Sequence, residues 1–208
     1  MASETVPLYI VDDDKAVRDA LVSLLELEGY TVQAFDSATP FLDAVTPDTA
    51  GILLLDVRLP DINGLEVQER LVEMGVPLSI IIITGHGDVP MAVQVIQAGA
   101  VNFIEKPFIG DAVIDSVRAA EKDARVALES AQETQAVRAL YDQLAPREKD
   151  VLHHLVQGQQ NKVIAFELGI SPRTVEVYRA RLMTKMQADS LAHLVRMAMR
   201  IGLEGSRD

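Results

Sequence analysis

Five side chains that could do chemistry together stand where apolar runs end in the first half of the chain. They are Asp12, Asp13, Asp56, Thr84 and Lys106. An apolar run bounded by turn residues is typical of a strand buried on both faces, and α/β folds bind ligands at the carboxyl ends of such strands. Carboxylates can share a pocket only if a cation or a proton compensates their charge. Oxygen ligands without His or Cys favour a hard cation such as Mg²⁺.

The same residues supply the parts of a phosphoryl-transfer site. Asp56 could act as a nucleophile, Lys106 could bind an anion as a point charge, and Thr84 could donate a hydrogen bond. Singly, each has an ordinary interpretation. Asp12 to Asp14 could cap the helix that follows, Asp56 could form a turn, and Thr84 and Lys106 could be a strand residue and a surface charge. Their joint position at the ends of four strands favours phosphoryl transfer.

Alternating strand and helix patterns must position these side chains. The strands are predicted in PLYIVD, YTVQAF, GILLLD, SIIIIT and VNFIE, with helices between them. The alternation predicts an α/β fold with a five-stranded parallel, doubly wound sheet. With strand order 2-1-3-4-5, the first and third strands are neighbours and bring Asp12, Asp13 and Asp56 together.

A long helix follows the fifth strand. There is no Pro or Gly between Gly110 and Leu144, and the segment is rich in Ala, Glu, Gln and Arg, which are strong helix formers. An unbroken helix of about 33 residues would span about 50 Å, whereas a break near Asp123 would give two helices. We expect one domain over 1–122, a linker helix over 123–143 and a second domain over 144–208.

The second domain has a purely helical pattern of four helices. Two of them, joined at LGIS, are typical of a helix-turn-helix, and Ser171 and Pro172 begin the second one. That helix would bury one stripe, formed by Val175, Tyr178, Leu182 and Met186. Its outward side, which could meet phosphates and base edges, would hold Arg173, Thr174, Glu176, Val177, Ala180 and Arg181. An αα-hairpin with an ordinary basic face is the alternative.

Composition excludes some classes of protein and separates the two halves. The chain has 208 residues, 49% of them hydrophobic, and no cysteine, which excludes disulfides, thiol catalysis and thiolate metal sites. No apolar run is long enough to span a membrane and no signal peptide is recognisable, so we expect a cytoplasmic protein without a membrane partner. Residues 1–120 carry 6 basic and 19 acidic side chains, and residues 145–208 carry 10 and 7. The basic half makes nucleic acid a candidate partner.

The motifs VDDD, LLLDVRLPDINGLE, IIITGHGDV and GAVNFIEKPF together resemble the receiver domain of two-component response regulators, over about residues 5–122. The resemblance implies that a sensor histidine kinase phosphorylates Asp56. It also implies that Asp13, Asp56 and the backbone carbonyl of Arg58 bind Mg²⁺ directly, and that Asp12 acts through water. Lys106 would then bind a phosphoryl oxygen.

The receiver resemblance also implies a conformational switch and a dimer. Thr84 would bind the phosphoryl group and Phe103 would turn inward as the switch aromatic, although Phe103 could also be an ordinary core residue. In this family the surface of the fourth helix and fifth strand often pairs two subunits. We expect Val93 to be exposed there. Gln97 and Asn102 are neutral where relatives commonly place opposite charges, so we expect a homodimer that salt weakens little.

The segment LAPREKDVLHHLVQGQQNKVIAFELGISPRTVEVYRARLMTKM resembles the four-helix output domain of the LuxR/NarL class, over about residues 144–203. The resemblance implies binding to a double-stranded DNA promoter. The residues that fall where the family reads bases are Glu176, Val177 and Ala180. Those that fall where it contacts phosphate are Asn161, Thr174, Arg179 and Lys185. Two positions depart from the pattern: Ala145 leaves the next helix without a side-chain N-cap, and Tyr178 replaces the usual His.

The whole chain is thus identified as a member of the FixJ/NarL family, and three hypotheses follow. The first is a phosphorylation-controlled transcription regulator with RNA polymerase as a partner; FixJ-like members imply an oxygen-sensing haem kinase and nitrogen-fixation genes. The second is a phosphatase with an aspartyl-phosphate intermediate, which would need a second Asp where this chain has Arg58. The third is an interaction module that never binds phosphate. The complete set of pocket residues favours the first, a regulator rather than an enzyme.

Overall fold

The computed structural model describes residues 5–85 and 89–203, without the side chain of Val89. The chain divides into two compact units, Met1–Ala131 and Gln132–Asp208, each with its own apolar core. The division lies inside the segment that sequence analysis treats as a linker, and the domain boundaries proposed from the sequence remain a prediction.

The first unit is built on a five-stranded parallel sheet. The strands are β1 Pro7–Val11, β2 Thr31–Phe35, β3 Gly51–Asp56, β4 Leu78–Thr84 and β5 Asn102–Glu105. Their order is β2-β1-β3-β4-β5, as predicted. Val11 of β1 pairs with Leu55 of β3, and Asp56 pairs with Ile83 of β4. The carboxyl ends of the three central strands therefore lie side by side.

Helices cover both faces of this sheet, which confirms the doubly wound fold. They are α1 Lys15–Leu27, α2 Ala38–Ala44, α3 Gly64–Glu73, α4 Val89–Gln97 and α5 Gly110–Asp142. One core packs α1 and α5 against the sheet, and the other packs α2, α3 and α4 against the opposite face. The helix α5 is continuous, so the alternative break near Asp123 is not observed.

The turn that follows β3 depends on Gly64. A Cβ atom at Gly64 would lie 2.2 Å from the backbone oxygen of Asp56, a distance that real Cβ contacts do not reach. Only glycine therefore lets the start of α3 approach the end of β3 so closely. Asn63 then caps α3 by accepting a hydrogen bond from the N–H of Leu65 at 2.9 Å. This explains why a Gly follows so soon after the apolar run that ends at Asp56.

The second unit contains the four predicted helices. They are α6 Pro146–Val156, α7 Asn161–Leu168, α8 Pro172–Lys185 and α9 Leu191–Arg200. Val137, Leu140 and Tyr141 from the end of α5 join the core of this unit. Across both described segments of the chain, every helix is too short or too polar to cross a membrane.

Candidate functional site

The acidic residues predicted to form a site do come together. One carboxylate oxygen from each of Asp12, Asp13 and Asp56 can be chosen so that all lie within 4.8 Å of one another. Asp12 and Asp56 are buried, whereas Asp13 is exposed. The parallel pairing of β1 with β3 causes this convergence, because Asp12 follows β1 and Asp56 ends β3. The third member of the acidic run, Asp14, instead caps α1 and accepts a hydrogen bond from the N–H of Ala16 at 2.8 Å.

Lys106 lies between the two buried acids. Its Nζ is 2.6 Å from Oδ2 of Asp12 and 2.7 Å from Oδ2 of Asp56. Its backbone N–H donates to the carbonyl of Thr84 at 2.8 Å, which extends the pairing of β4 with β5 to the rim of the pocket. Two carboxylates out of water require such a cation, because an uncompensated buried charge costs several kcal/mol, on the order of 3–5 when a buried pair is broken.

Burial and charge act in opposite directions on these groups. Burial raises the pKa of Asp12, although the hydrogen bond and charge of Lys106 oppose the shift. Burial by itself would lower the pKa of Lys106, but its hydrogen bonds to Asp12 and Asp56 outweigh this and raise it. Lys106 is therefore held as a cation, and the pocket is a place where negative charge is costly and a further cation is favoured.

The loop between β3 and α3 folds back on the pocket. The N–H of Arg58 donates to Oδ1 of Asp56 at 3.1 Å, and the N–H of Gly64 donates to the carbonyl of Val57 at 2.9 Å. Arg58 therefore stays beside the acidic cluster, two residues after Asp56. The use of its backbone carbonyl as a metal ligand stays a prediction.

Thr84 and Phe103 lie on the neighbouring strands β4 and β5. Thr84 is fully buried. Phe103 pairs with Ile82 in the sheet and is half-buried against the core formed with α2, α3 and α4. The motif residues 86–88 that follow β4 lie outside the described residues. Phe103 thus contacts the core, and its role as a switch aromatic stays a prediction.

The predicted dimer surface is apolar in part. Val93 and Ile96 of α4 are exposed, 49% and 47%, so sequence analysis identified Val93 correctly and missed Ile96. Gln97 is exposed as well. Asn102 is engaged within the fold: its Nδ2 donates to Ser116 Oγ at 2.8 Å and its Oδ1 accepts from the N–H of Phe103 at 2.8 Å. Asn102 is therefore less available to a second subunit than Gln97.

The helix α8 presents the two faces that its sequence predicts. Val175, Leu182 and Met186 are buried and Tyr178 is partly buried. Ser171 caps the helix, because its Oγ accepts from the N–H of Thr174 at 3.1 Å. The residues turned to solvent include Arg173, Glu176, Val177, Ala180 and Arg181. Thr174 is half-buried. A cavity of about 640 Å³ lies along this outward side.

All four residues predicted to contact phosphate already have side-chain partners within the unit. Thr174 Oγ1 lies 2.8 Å from Ser171 Oγ. Arg179 Nη1 donates to Oδ1 of Asn161 at 2.7 Å, and Lys185 Nζ donates to Oε2 of Glu148 at 2.6 Å. Glu148 is buried and was missed by sequence analysis. Glu148 lies three residues after Ala145, where the second residue of a capping box is expected, and this spacing could have identified it.

Glu148 also amends the expectation for the start of α6. Ala145 has no side-chain acceptor, as expected, but its own N–H donates to Oε2 of Glu148 at 2.8 Å. Half of a capping box is thus present without the other half. The hydrogen bond from Lys185 chiefly, and that from Ala145, lower the pKa of Glu148 below its usual value. Glu148 is therefore an ionised acid that joins the start of α6 to the end of α8.

Comparison with known proteins defines the class. Residues 8–118 match the response regulator receiver domain, and residues 142–198 match the bacterial regulatory proteins of the luxR family. The chain belongs to the two-component response regulators that join a receiver domain to a LuxR-type DNA-binding domain. Members of this family control transcription in response to phosphorylation. Family membership implies a kinase partner and DNA binding. Receiver domains generally bind Mg²⁺ at an acidic cluster of this kind.

Within that family the chain is FixJ-like. It is 46% identical to the transcriptional regulatory protein FixJ of Bradyrhizobium diazoefficiens, over 94% of this chain and 96% of that protein. It is 43% identical to the response regulator TodT of Pseudomonas putida, over 97% of this chain and 88% of that protein. The structure of full-length FixJ from B. japonicum matches 95% of this chain and 98% of its own, with a TM-score of 0.54 and 45% identity. These relatives are regulators, which disfavours the phosphatase hypothesis.

Proposed function

We propose that a sensor histidine kinase transfers a phosphoryl group to Asp56 and that this controls DNA binding by the second unit. The observation that carries the proposal is the convergence of Asp12, Asp13, Asp56 and Lys106 at one rim of the sheet. The oxygen donors there fit a hard divalent cation. Mg²⁺, held directly by Asp13, Asp56 and the carbonyl of Arg58 and through water by Asp12, would neutralise charge on the transferred group.

The residues of the chain have distinct roles in this transfer. The carboxylate of Asp56 forms a bond to phosphorus as the bond from phosphorus to the kinase histidine nitrogen breaks. Lys106, which now contacts Asp12 and Asp56, is close enough to move to a phosphoryl oxygen. The hydroxyl of Thr84 donates to another oxygen. Phe103 then turns further into the core, so that charge at Asp56 alters the surface formed by α4 and β5.

The output is a dimer that binds promoter DNA. Two subunits pair through apolar contact at Val93, with hydrogen bonds at Gln97 and a smaller part for Asn102. Glu176, Val177 and Ala180 contact bases, and Arg173 with the predicted phosphate contacts, Asn161, Thr174, Arg179 and Lys185, fixes the helix on the backbone. A two-fold dimer fits a site with two half-sites. We place the protein in the cytoplasm, where promoter DNA and RNA polymerase are; a link to nitrogen fixation stays a prediction.

Intact-mass measurement tests the phosphoryl transfer. The protein is incubated with Mg²⁺ and a small acyl phosphate, and we expect a mass gain of one phosphoryl group. The gain should vanish without Mg²⁺ and in Asp56→Asn, but persist in the control Asp43→Asn, which changes an exposed acid on α2. Asp13→Ala should weaken metal binding, and Lys106→Ala should be phosphorylated but fail to dimerise. A phosphoryl group on a His or Ser would refute the assignment.

A further inference from the structure

Asp61 joins the loop of residues 57–63 to the start of α2. Its Oδ1 accepts a hydrogen bond from the N–H of Ala38 at 3.0 Å. Its Oδ2 accepts from the N–H of Thr39 at 2.7 Å and from the Thr39 hydroxyl at 2.6 Å. One carboxylate, more than twenty residues away in the sequence, thus satisfies two backbone donors of α2.

The start of α2 needs such a partner. The first N–H groups of a helix have no acceptor within the helix. The N-cap residue, Ser37, makes no side-chain capping bond; its hydroxyl instead donates to Asp36 at 2.8 Å. A carboxylate at this end also interacts favourably with the helix dipole. The hydrogen bond from the Thr39 hydroxyl chiefly holds the pKa of Asp61 well below its usual range, so Asp61 is ionised at neutral pH.

The loop that Asp61 holds is the one that borders the acidic pocket. Its inner end is fixed, since the N–H of Arg58 bonds to Asp56 and the N–H of Gly64 bonds to Val57. Leu59 and Ile62 are only partly buried against the core. The three hydrogen bonds of Asp61 therefore provide the polar attachment of the outer part of the loop to a neighbouring helix.

We propose that Asp61 is a positioning residue for divalent-cation binding, because it fixes the loop that carries the backbone carbonyl of Arg58. The inference rests on the proposed function for the identity of that ligand. Residues that orient metal ligands typically change metal affinity by about 10- to 100-fold when they are removed. Asp61 touches neither the phosphoryl group nor the cation, so its removal should change affinity rather than the chemistry at Asp56.

Calorimetric titration of the full chain with Mg²⁺, without any phosphodonor, tests the proposal. We expect Asp61→Ala to weaken binding about tenfold. Asp61→Asn should behave similarly, because the amide nitrogen cannot accept from Thr39. Thr39→Val, which removes one of the three donors, should have a smaller effect, and Thr39→Ser should leave affinity unchanged. Asp43→Ala is the matched control, since it removes the same charge from an exposed position on α2.

Three outcomes overturn the proposal. The first is a folded Asp61→Ala variant that binds Mg²⁺ with wild-type affinity. The second is a loss of Mg²⁺ affinity in Asp43→Ala as large as that in Asp61→Ala. The third is slow phosphorylation of Asp61→Ala even at saturating Mg²⁺. If Asp61→Ala does not fold, as judged by circular dichroism, the Mg²⁺ affinities of Thr39→Val and Thr39→Ser are compared instead. Weaker binding by Thr39→Val alone supports the proposal, and equal affinities contradict it. A wild-type chain that binds Mg²⁺ but is not phosphorylated on Asp56 contradicts the proposed function. That result differs from the three above, which contradict only the role of Asp61.

Discussion

The acidic pocket and the outward face of α8 are built in opposite ways. In the pocket, Asp12 and Lys106 are 94 positions apart in the chain and contact each other out of water. On α8, the predicted DNA-contacting residues lie mostly within one helix and face solvent. The pocket therefore depends on the whole sheet, whereas the face of α8 depends on one helix and its immediate support. Removal of a single charge should have a large effect in the first region and a small one in the second.

A lysine paired with a buried acid occurs in both regions and makes the contrast measurable. The Lys106 side chain is 17% exposed, beside Asp12 at 2% and Asp56 at 7%. The Lys185 side chain is 42% exposed, beside Glu148 at 4%. Water screens Lys185 and can replace its partner, but it cannot reach Lys106 in the same way. Lys185 thus remains accessible to a phosphate while Lys106 compensates two acids.

The largest expected effect is that of Lys106→Met. Without a divalent cation at pH 7, we expect the unfolding free energy of the first unit to fall by about 3 kcal/mol, because two buried acids lose their cation. Mg²⁺ should restore part of the loss. Since the pKa of Asp12 is raised, the folded state takes up its proton first, and the deficit should also narrow as the pH falls. Denaturant titration followed by circular dichroism measures these changes.

The control for this variant is Lys15→Met. Lys15 pairs with Asp19 at 2.5 Å, but the two side chains are 78% and 64% exposed. Its removal should cost at most about 1 kcal/mol. The raised pKa of Lys106 adds a second check: its contribution is present at neutral pH and should be lost as the pH rises through its folded pKa. Equal costs for the two variants would contradict the contrast between buried and exposed cations.

Val93 lies in the same unit as Lys106 but is exposed. The substitution Val93→Asp therefore tests whether the exposure of a residue, rather than the unit that contains it, determines how much its substitution changes stability. Val93 is exposed, so the unfolding free energy should change by no more than about 0.5 kcal/mol. Dimerisation of the phosphorylated protein should instead weaken by about 2 kcal/mol, roughly 30-fold, because like charges would meet across the two-fold axis. Sedimentation at low and high salt measures this association.

The matched control is Leu27→Asp on α1, where Leu27 is 87% exposed and α1 covers the opposite face of the sheet from α4. It should leave the dimer intact. The wild-type dimer should differ little between the two salt concentrations. A protein that stays monomeric at micromolar concentration in both, or a dimer that survives Val93→Asp, contradicts the proposed interface.

The sequence was sufficient for features that depend on backbone periodicity and local chemistry. Strand order and turn residues place Asp12 and Asp56 at one rim, because the carboxyl ends of neighbouring parallel strands must lie together. Helical spacing likewise predicts the buried stripe of α8, and Ser171 predicts its N-cap. In these cases the side chain follows directly from the backbone.

Contacts between side chains of different elements could not be predicted in the same way. The bonds from Asp61 to Thr39 and from Glu148 to Lys185 depend on how a loop or a helix end approaches its neighbour, which periodicity does not specify. The bonds of Lys106 to both acids are a similar case: a Lys at this strand end was expected, but the choice of partner is a rotamer choice made within the folded pocket. Ile96 was missed because an apolar helix has several equivalent orientations.

Deletion of the first unit should increase DNA affinity, by a factor smaller than that expected for Val93→Asp on dimerisation. Residues 132–208 carry 11 basic and nine acidic side chains, a net charge of +2, whereas the whole chain has a net charge of −12. We expect this fragment to bind a duplex of arbitrary sequence about tenfold more tightly than the intact chain at low salt, because an acidic unit no longer repels phosphates. The fragment should begin at Gln132, since Val137, Leu140 and Tyr141 belong to the core of the second unit.

Fluorescence anisotropy at about 50 and 200 mM salt measures both proteins, and the advantage of the fragment should shrink at the higher concentration. An advantage that does not depend on salt would show that the first unit acts through something other than charge. Unchanged or weaker binding by the fragment, with its helical content intact by circular dichroism, would contradict the prediction.

Glu148→Gln should have the smallest effect and bears most directly on the contrast between the two lysines. Gln keeps an acceptor oxygen for the N–H of Ala145 but removes the negative charge that holds Lys185, so non-specific DNA affinity should rise about threefold, the scale of one screened ion pair. Because the pKa of Glu148 is lowered, its stabilising contribution is present above its ordinary pKa of about 4.3 and is lost as the pH falls through the folded value; the variant should lack this dependence. Glu133→Gln, which removes the same charge beside Arg200, is the control and should alter affinity less. Weaker binding by Glu148→Gln would mean that Glu148 positions Lys185 for contact with phosphate instead of competing with the phosphate. The DNA-contacting face of α8 would then depend on a buried acid, as the pocket does.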